Sequence, residues 1–477
     1  MPSKYKLLLI NPQNQHRIGF ALSVTSRYPP LSLGILAALT PDNWEIEILD
    51  ENFDKFEDNR DKKVDLVGIT AFTSNVYRAY EIAGHYTAQN IPVVIGGVHA
   101  TMMPEETALY ATAVFKGEAE TKWPEVIEDF EKGKLQGIYE GGRPSMEHLP
   151  HARHDLFHKR YLFNSIQTTR GCPYKCDFCS VHEFNGSKHR LRPVEDILDE
   201  LESLPDKMLG IVDDNFYGYS TKSKEHSYAL LEGMLKRGIK KDWFIQASLN
   251  IATDQKFLEL ASRAGCREVL LGVESDDEEQ LKHSNKVLNA KIKPEHFKKS
   301  FRNIQKAGIS VLGAFIFGLD GDTKESLYRR LKFIQKSGVD AVQATIVTPT
   351  PGTRLFARLK NESRLSKTNF PRDWEKYHTE ETVIVPDKMP AKDLQHHMYI
   401  IWHKIYNKTA MRKRFAKTLW RTKNYKSALW AYAGNWHYRR IVFENSGYNP
   451  DKHPDKQQPV VNSHSNKKTE SPSDSIA

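Results

Sequence analysis

The sequence predicts an α/β protein in which two parallel-sheet domains are followed by a mainly helical module. Three observations support this prediction: apolar strand-like runs alternate with helical stretches over residues 1–140, a second such series occupies 161–355, and helical patterns dominate 356–445. Strands that alternate with helices form βαβ units and pair in parallel. We therefore expect a doubly wound, Rossmann-like domain first and a (β/α) barrel second, in a chain of 477 residues that is long enough for both.

The first domain is predicted from five short apolar runs separated by helical candidates. Open parallel sheets of this kind bind ligands where the carboxyl ends of the strands meet. A Gly/Pro-rich stretch at 137–150 then indicates a connection between domains, which we assign to residues 141–160. The predicted strands are 5–10, 45–49, 66–70, 93–95 and 113–115, and the predicted helices are 31–39, 75–89 and 121–130.

The second series contains six strand candidates, whereas a complete barrel of this type has eight. We therefore expect a partial (β/α)6 barrel whose open side admits a larger substrate. The active sites of such barrels lie at the carboxyl ends of the strands. The predicted strands are 163–168, 208–213, 243–248, 268–272, 310–317 and 341–346, and the helices are 194–204, 222–237, 254–264, 294–307 and 324–337.

The C-terminal module concentrates the positive charge of the chain. Ile401 to Arg440 contains eleven Lys or Arg and no Asp or Glu, interleaved with Trp, Tyr and Phe. Three interpretations stay open: a helical cap on the barrel with a solvated basic face, a peripheral contact with an anionic membrane, and, less favoured, nucleic-acid binding. The polar, Pro/Ser/Lys-rich stretch at 446–477 predicts a disordered tail.

The hydropathy pattern also bears on location. The apolar run near the N-terminus is too short for the core of a signal peptide, and no stretch is long and apolar enough for a transmembrane helix. We therefore expect a cytoplasmic protein, with peripheral attachment to the inner membrane surface if the basic module contacts lipid.

Three of the four cysteines fall within eight positions, spaced Cys-x3-Cys-x2-Cys. Cys172, Cys176 and Cys179 can bind three irons of a [4Fe–4S] cluster and leave the fourth iron open to a small chelating molecule. The alternatives are chance clustering, a disulfide, which would leave an odd thiol, and a zinc site in which His182 supplies a fourth ligand. Cys266 lies in a helix-end pattern and is interpreted as a buried structural thiol.

The cysteine spacing, together with the aromatic Phe178 just before the last cysteine, resembles the radical S-adenosylmethionine (radical SAM) superfamily. The resemblance implies that the thiolates hold a [4Fe–4S] cluster and that the amino and carboxylate groups of SAM bind its open iron. It also implies a 5′-deoxyadenosyl radical that removes hydrogen from a substrate, and an external electron donor of the flavodoxin or ferredoxin type. The cofactors then supply the reactive chemistry, while the protein supplies position and excludes water.

Polar residues at the ends of the barrel strands also match this family motif by motif. The resemblance places Asp213, Asp214 and Glu274 near SAM and makes Gly318 a point of close backbone approach to adenine. Each of these residues has an ordinary alternative as turn or N-cap chemistry. The pair Asn285-Lys286 also resembles a family pattern, to which we assign no role. The candidate SAM-binding residues are Phe178, Asp213, Asp214, Ser248, Glu274 and Gly318.

The strand ends of the first domain resemble the cobalamin-binding domain that precedes the barrel in one radical SAM subgroup. Gly96-Gly97-Val98-His99-Ala100 and Gly117-Glu118-Ala119-Glu120 carry most of this similarity, whereas a G-x-G-x-x-G dinucleotide motif is missing. The Asp-x-His-x-x-Gly motif, through which many cobalamin enzymes ligate cobalt, is also missing. We favour cobalamin bound by shape and backbone contacts, with His99 in the pocket wall, over a domain that has lost the cofactor. The candidate cobalamin-binding residues are Asn11, Thr73, Ser74, Gly96, Gly97, His99, Gly117 and Glu118.

The resemblance therefore implies a cobalamin-dependent radical SAM enzyme that methylates an unactivated carbon. The open barrel and the basic, aromatic C-terminal module favour a lipid or another amphiphile as substrate. This arrangement is similar to that of the radical SAM methylases of hopanoids and other isoprenoid lipids. The alternatives are ring formation, desaturation or carbon–carbon coupling by the same radical, and modification of RNA.

Overall fold

The computed structural model describes residues 5–13, 28–205 and 208–444. Its two six-stranded parallel sheets, followed by helices, confirm the predicted α/β class. The tail predicted at 446–477 lies outside the described residues. Strands and helices are numbered in chain order over the described residues.

The first sheet is built from apolar runs that are buried on both faces. Its strands are β1 (Tyr5–Asn11), β2 (Trp44–Asp50), β3 (Leu66–Thr70), β4 (Val93–Gly96), β5 (Ala113–Gly117) and β6 (Gly137–Gly142), in the order β2-β1-β3-β4-β5-β6. Leu7 and Leu9 belong to one layer of core and Leu8 and Ile10 to the other, and all four are at most 1% exposed. Burial on both faces requires helices on both sides of a parallel sheet, so the domain is doubly wound.

The sixth strand replaces part of the predicted linker. β6 pairs in parallel with β5 and buries Tyr139, although three of its six residues are glycine. The connection between the domains therefore begins after Gly142, and it is packed: Met146, Leu149 and Phe157 form an apolar cluster with Ile35 of the first helix. The helices of this domain are α1 (Leu31–Leu39), α2 (Val76–Thr87), α3 (Val98–Met102), α4 (Pro104–Thr107) and α5 (Trp123–Glu131).

The second sheet contains six parallel strands in chain order, which confirms the partial barrel. Its strands are β7 (Phe163–Ile166), β10 (Met208–Ile211), β11 (Trp243–Ala247), β12 (Cys266–Glu274), β13 (Ser310–Phe317) and β14 (Ala341–Ile346). Within the described residues, β7 and β14 are the two edges of this sheet. A two-stranded antiparallel ribbon, β8 (Thr169–Arg170) and β9 (Arg190–Leu191), brackets the cysteine loop.

Helices cover the outside of the barrel, as the alternating pattern predicts. Val269, Leu271 and Phe315 of the strands share one core with the apolar faces of these helices. Cys266 is 0% exposed in the same core, which agrees with its interpretation as a structural thiol. The helices are α6 (Val181–Phe184), α7 (Val194–Ser203), α8 (Thr221–Lys236), α9 (Gln255–Arg263), α10 (Glu278–His283), α11 (Val287–Ile292), α12 (Pro294–Lys306), α13 (Lys324–Ser337) and α14 (Arg354–Asn361).

The C-terminal module consists of three helices, α15 (Ala391–Tyr406), α16 (Lys408–Thr422) and α17 (Tyr425–Glu444). The first of these covers the edge strand β14. Trp402 Nε1 donates to the Ala344 carbonyl at 2.8 Å, and the Tyr406 hydroxyl donates to the Val342 carbonyl at 2.9 Å. These side chains satisfy backbone groups that an edge strand leaves unpaired, so α15 protects the sheet from pairing with another chain.

Helix α17 crosses the amino-terminal ends of the barrel strands, on the side opposite the cysteine loop. The Asn435 side-chain amide donates to the Asp340 carbonyl, next to β14, at 2.9 Å. Lys426 Nζ lies 2.8 Å from the Asp242 carboxylate, next to β11. The structure therefore favours the first interpretation of the module, a helical cap, and places this cap at the base of the barrel.

The expected open side of the barrel is partly filled from within. Tyr28 lies inside the barrel, where its ring stacks on Phe244 with centroids 5.8 Å apart and meets Phe163 at 4.9 Å. A Cβ at Gly210 would lie 2.2 Å from the Tyr28 ring, so glycine is needed opposite this ring. Tyr28 therefore fills the interior beside β7, β10 and β11, and the entry of a larger substrate stays a prediction.

One apolar cluster joins the two domains and the segment before α15. Ile10 and Ile69 of the first sheet share it with Leu319 beyond β13 and with Trp374 and Ile384. The carboxyl edge of the first sheet is thereby held against the barrel end that carries the cysteine loop. Among the helices of the described ranges, none combines the length and apolar character that crossing a bilayer requires.

Candidate functional site

The cysteine loop follows β7 and is fixed at its entry by a glycine. Gly171 has φ of +90°, and a Cβ there would lie 2.4 Å from the Lys188 carbonyl oxygen. Only glycine tolerates both the positive φ and this close approach. The next residue, Cys172, donates its N–H to the Gly186 carbonyl at 3.1 Å.

Two adjacent carboxylates after β10 anchor the chain that leads into this loop. Asp213 is 0% exposed and accepts from the N–H groups and hydroxyls of Thr168 and Thr169. Asp214 accepts from the Gly171 N–H at 3.1 Å. Burial raises the pKa of Asp213 to about 6, although the hydrogen bonds favour the charged form and oppose this rise. Two of the three predicted SAM-binding carboxylates, Asp213 and Asp214, are thus bonded to the backbone that leads into the loop.

The three thiols are free, and the half-buried cation Lys286 lies near them. Burial raises the pKa of Cys172 to about 11 and that of Cys179 to about 12, while Lys286 opposes the rise at each thiol. Burial alone would lower the pKa of Lys286, but attraction by Glu274 and by the thiolates of Cys176 and Cys179 raises it. Lys286 therefore stays charged, and the site combines three soft donors with a fixed positive charge.

This donor set fits a [4Fe–4S] cluster better than a single ion. Over the parts of the chain that the structure describes, no three His, Cys, Asp or Glu side chains converge as one metal ion requires. A cubane is larger and separates its thiolates more widely. His182, the alternative zinc ligand, forms no such group with the cysteines; its Nε2 lies 3.1 Å from the Glu183 carboxylate, and neither ring nitrogen is hydrogen-bonded among the described residues. Cys172, Cys176 and Cys179 would hold the cluster, with Lys286 beside it.

Glu274 ends β12 in a strained conformation. Its φ is +67°, which is uncommon for a residue with a side chain, and the register between β12 and β13 shifts at this point. Lys286 Nζ lies 2.9 Å from Glu274 Oε1. The Asn289 side-chain amide donates to the carbonyls of Gly272 and Val273 at 2.7 and 3.0 Å, and so holds the strand end.

The turn before Lys286 also holds the cysteine loop. The Asn285 side-chain amide donates to the Lys175 carbonyl at 2.8 Å, and the Ser284 carbonyl accepts from the Asp177 N–H at 3.1 Å. Asn285 has φ of +57°, a conformation that Asn adopts more readily than most residues. Asn285-Lys286, to which the sequence assigned no role, therefore connects Glu274 with the cysteine loop.

Phe178 and Gly318 line the same cavity, between the cysteine loop and the turn after β13. Gly318 has φ of +83°, and a Cβ there would lie 2.6 Å from a methyl carbon of Leu394 on α15. The group that approaches Gly318 closely in the structure is thus the Leu394 side chain. A contact of Gly318 with adenine stays a prediction.

Ser248 lies at the end of β11 and contacts a residue that sequence reasoning missed. The Asn215 side-chain amide donates to Ser248 Oγ at 3.2 Å, whereas Asn215 Oδ1 is buried and unpaired among the described residues. Buried amide oxygens are rarely unpaired, so this atom suits a hydrogen-bond donor on a bound ligand. The position of Asn215 directly after Asp213-Asp214 was the sequence signal that could have identified it as a site residue.

The carboxyl edge of the first sheet offers bare backbone beside an exposed ring. Gly97 has φ of +98°, and a Cβ there would lie 2.7 Å from the Ala71 carbonyl oxygen. Thr73 is buried, whereas the neighbouring Phe72 is 60% exposed. This combination fits a large, flat and partly apolar ligand such as a corrin. Gly96, Gly97, Phe72 and Thr73 would lie against it.

His99 is a structural residue of this edge. It is 0% exposed, its Nε2 lies 3.2 Å from Glu106 Oε1, and its Nδ1 lies 3.3 Å from Thr73 Oγ1. Its ring also meets that of Trp374 at 5.2 Å. Because both ring nitrogens have partners, the structure agrees with a pocket-wall residue and not with a cobalt ligand.

The remaining predicted cobalamin-binding residues lie at the same edge but differ in their partners. The Asn11 side-chain amide donates to Asp50 at 2.9 Å. Glu118 is 5% exposed and paired with Arg170 and Arg190. These remaining residues are Asn11, Ser74, Gly117 and Glu118.

Comparisons with known proteins agree with this geometry. A model of the B12 binding domain matches residues 18–127, and a model of the Radical SAM superfamily matches residues 166–334. A bacteriochlorophyllide d C-12(1)-methyltransferase of Chlorobaculum tepidum is 30% identical over 86% of this chain and 90% of its own. A hopanoid C-2 methylase of Rhodopseudomonas palustris is 27% identical over 74% of this chain and 68% of its own.

Solved structures share the fold at lower identity. The radical S-adenosylmethionine methyltransferase TsrM from Kitasatospora setae, with cobalamin and a [4Fe–4S] cluster bound, matches with a TM-score of 0.61 at 20% identity, over 76% of this chain and 78% of its own. The cobalamin-dependent S-adenosylmethionine radical enzyme OxsB matches with a TM-score of 0.65 at 16% identity, over 86% and 70%.

The fold, the cysteine loop and the two family models define a radical SAM enzyme with an N-terminal B12-binding domain. The identity with the bacteriochlorophyllide methyltransferase extends over nearly all of that relative. The chain belongs to the cobalamin-dependent radical SAM methyltransferase family. The predicted cofactors, a [4Fe–4S] cluster, S-adenosylmethionine and cobalamin, are confirmed at this level. When bound, they supply the radical and the methyl group.

Asp213→Asn is expected to loosen the cysteine loop. The substitution keeps the shape but sets an amide donor against the donors of Thr168 and Thr169. A lost buried hydrogen bond costs about 1–3 kcal/mol, so the urea midpoint and the iron per chain after anaerobic reconstitution should both fall. Asp199→Asn, which removes an exposed carboxylate paired with Arg237, is the control. Equal iron contents in the two variants would contradict the anchoring role of Asp213.

Lys286→Met is expected to make the cluster harder to reduce. Reduction adds negative charge, which the nearby half-buried Lys286 stabilises, so removal of this cation should lower the reduction potential by on the order of tens of millivolts. The carboxylate of Glu274, left unpaired, acts in the same direction. A redox titration followed by electron paramagnetic resonance, without SAM, measures this shift. Lys282→Met, with a side chain 53% exposed on α10, is the control, and matching potentials would disprove the effect.

Proposed function

We propose that the methyl acceptor is an unactivated carbon of a large, ring-containing amphiphile, of the size of a chlorin or a polycyclic isoprenoid. The observation that carries this proposal is the 30% identity, over 86% of the chain, with a methyltransferase of bacteriochlorophyllide d. A hopanoid C-2 methylase matches over 74% of the chain. Bacteriochlorophyllide and hopanoids are both large and mainly apolar, so one kind of cavity suits both.

The inner face of the barrel supports such a substrate. The register places Gly272, Ala314 and Gln343 side by side on β12, β13 and β14, and all three are half-buried. The alternating residues Leu271 and Phe315 are buried against the outer helices, so the former three point inward. A Cβ at Gly272 would clash with the Glu274 and Lys286 side chains, so the missing side chain there makes room for these two groups. Ala314 is small, and the Gln343 amide offers hydrogen bonds to a polar substituent of the substrate.

Ring formation without methyl transfer is the second candidate. An anaerobic magnesium-protoporphyrin IX monomethyl ester cyclase of Rubrivivax gelatinosus is 24% identical over 90% of this chain. Because this relative spans nearly the whole chain, the domain arrangement alone does not separate the two outcomes. The mass of the product does.

The test uses the full chain, loaded anaerobically with cluster and hydroxocobalamin, and SAM with a CD3 methyl group. With pigment and lipid extracts as substrates, we expect a ring-containing product that carries one CD3 in place of one hydrogen, and none with Cys176→Ala. An unlabelled product that has lost hydrogen would favour ring formation. Label found in RNA alone would overturn the proposal that the substrate is an amphiphile.

We propose that a flavodoxin- or ferredoxin-type protein supplies the electron. Turnover that responds only to chemical reductants would contradict this proposal.

We also propose that the exposed surface of the α16–α17 hairpin contacts an anionic membrane. This hairpin surface consists of Leu419, Trp420, Tyr425, Leu429 and Trp436, which are 37–70% exposed. Trp and Tyr suit the interface of a bilayer, and Lys and Arg attract anionic headgroups. The exposed basic residues of α16 are Lys408, Arg412, Lys413 and Lys417, and the exposed Lys423 directly follows this helix.

The position of the hairpin surface determines how the enzyme would be oriented on a membrane. Because α17 covers the base of the barrel, the cysteine loop would face away from the bilayer. The substrate would then enter from the aqueous side. The absence of Asp and Glu between Ile401 and Arg440 disfavours a second copy of the chain as the partner, since like charges would meet.

Trp420→Ser/Tyr425→Ser tests the membrane contact. The wild type should float with phosphatidylglycerol vesicles and not with phosphatidylcholine vesicles, and the double variant should float several-fold less because it loses interfacial aromatic area. Leu109→Ser, at a residue 77% exposed in the first domain, is the control. Equal flotation of both variants would refute the contact. Co-purifying RNA with steep salt dependence, without flotation, would assign the surface to nucleic acid.

A further inference from the structure

The ribbon that brackets the cysteine loop brings two arginines face to face. Arg170 of β8 and Arg190 of β9 are register partners, and both side chains are at most 10% exposed. Like charges directly opposite each other repel, and burial strengthens the repulsion. A ribbon of two residues per strand has few hydrogen bonds to offset this. Its formation therefore depends on an anion from elsewhere.

Glu118, next to the end of β5 in the first sheet, supplies that anion. Its Oε2 lies 2.6 Å from Arg170 Nη1 and 2.8 Å from Arg190 Nη1, and its Oε1 accepts from Arg190 Nη2. Glu120 adds a second carboxylate, 2.6 Å from Arg170. The two acids and two arginines balance in charge, and all four side chains are at most 13% exposed.

These ion pairs connect to the hydrogen bonds that hold the cysteine loop. Arg190 Nη2 also donates to the Asn185 carbonyl at 3.0 Å, and the Asn185 side-chain amide donates to Asp214 at 2.8 Å. Asp214 in turn accepts from the Gly171 N–H, one residue before Cys172. The carboxylate of Glu118 is thus linked, through a continuous set of partly buried polar contacts, to the entry of the loop.

We propose that Glu118 is a positioning residue that clamps the cysteine loop to the cobalamin-binding domain, and is not a contact to cobalamin. By fixing the ribbon against the end of β5, the clamp sets the separation between the two faces that carry cofactors. Group transfer between bound reactants depends on such a fixed separation. A residue predicted to bind cobalamin would then serve to position the cysteine loop.

Glu118→Gln tests the clamp, because it keeps the shape of the side chain and leaves Arg170 and Arg190 to repel each other. In the full chain loaded with cluster and cobalamin, hydrogen exchange over residues 168–191 should become about tenfold faster. Iron per chain should fall, whereas the cobalamin retained on desalting should not change. Glu140→Gln, which removes an exposed ion pair with Lys116 on neighbouring strands, should alter none of these quantities.

The double variant Glu118→Gln/Arg190→Gln distinguishes the clamp from a general folding defect. It removes the like-charge contact, and Arg170 keeps Glu120, so protection over 168–191 and iron content should recover at least in part. Loss of cobalamin with unchanged exchange over 168–191 would show that Glu118 contacts the cofactor, and would overturn the proposal. Faster exchange across the whole first domain, without recovery in the double variant, would overturn it as well.

Discussion

The rest of the site depends on the carboxylates buried behind the cysteine loop. The loop has little regular structure of its own, so its backbone donors need acceptors from other segments. Asp213 and Asp214 supply acceptors, and Glu118 supplies the charge that lets two arginines lie close together. Buried charges are tolerated only when they are paired. The loop is therefore held in place by contacts that the protein itself supplies.

Much of the fold was predictable because buried parallel strands read as continuous apolar runs. The strands at 310–317 and 341–346 have the predicted bounds, since their burial on both faces requires such runs. The prediction missed β6 for the opposite reason. As an edge strand rich in glycine it needs little apolar character, and its pairing is determined by β5 and not by its own sequence.

The site was predictable only where its signal is local. The cysteine spacing lies within one loop, so it could be interpreted directly. The resemblance placed Asp213 near SAM, which stays a prediction; the sequence did not show that its side chain turns to Thr168 and Thr169, 45 and 44 positions earlier in the chain. Glu118 likewise meets Arg170 and Arg190, 52 and 72 positions away. Sequence shows which strand end carries a group, but not the direction of its side chain.

The C-terminal module shows why composition alone does not separate a structural role from a binding role. Trp402 and Tyr406 resemble interface-seeking aromatics in the sequence, but both are buried and bond the edge strand β14. Lys426 resembles a surface cation, but it holds α17 to Asp242 at the base of the barrel. The main structural role of this basic and aromatic segment is therefore to cover the edge strand β14 and the base of the barrel. The exposed hairpin surface that remains lies opposite the cysteine loop, so any partner it binds is recognised independently of the chemistry at the other end.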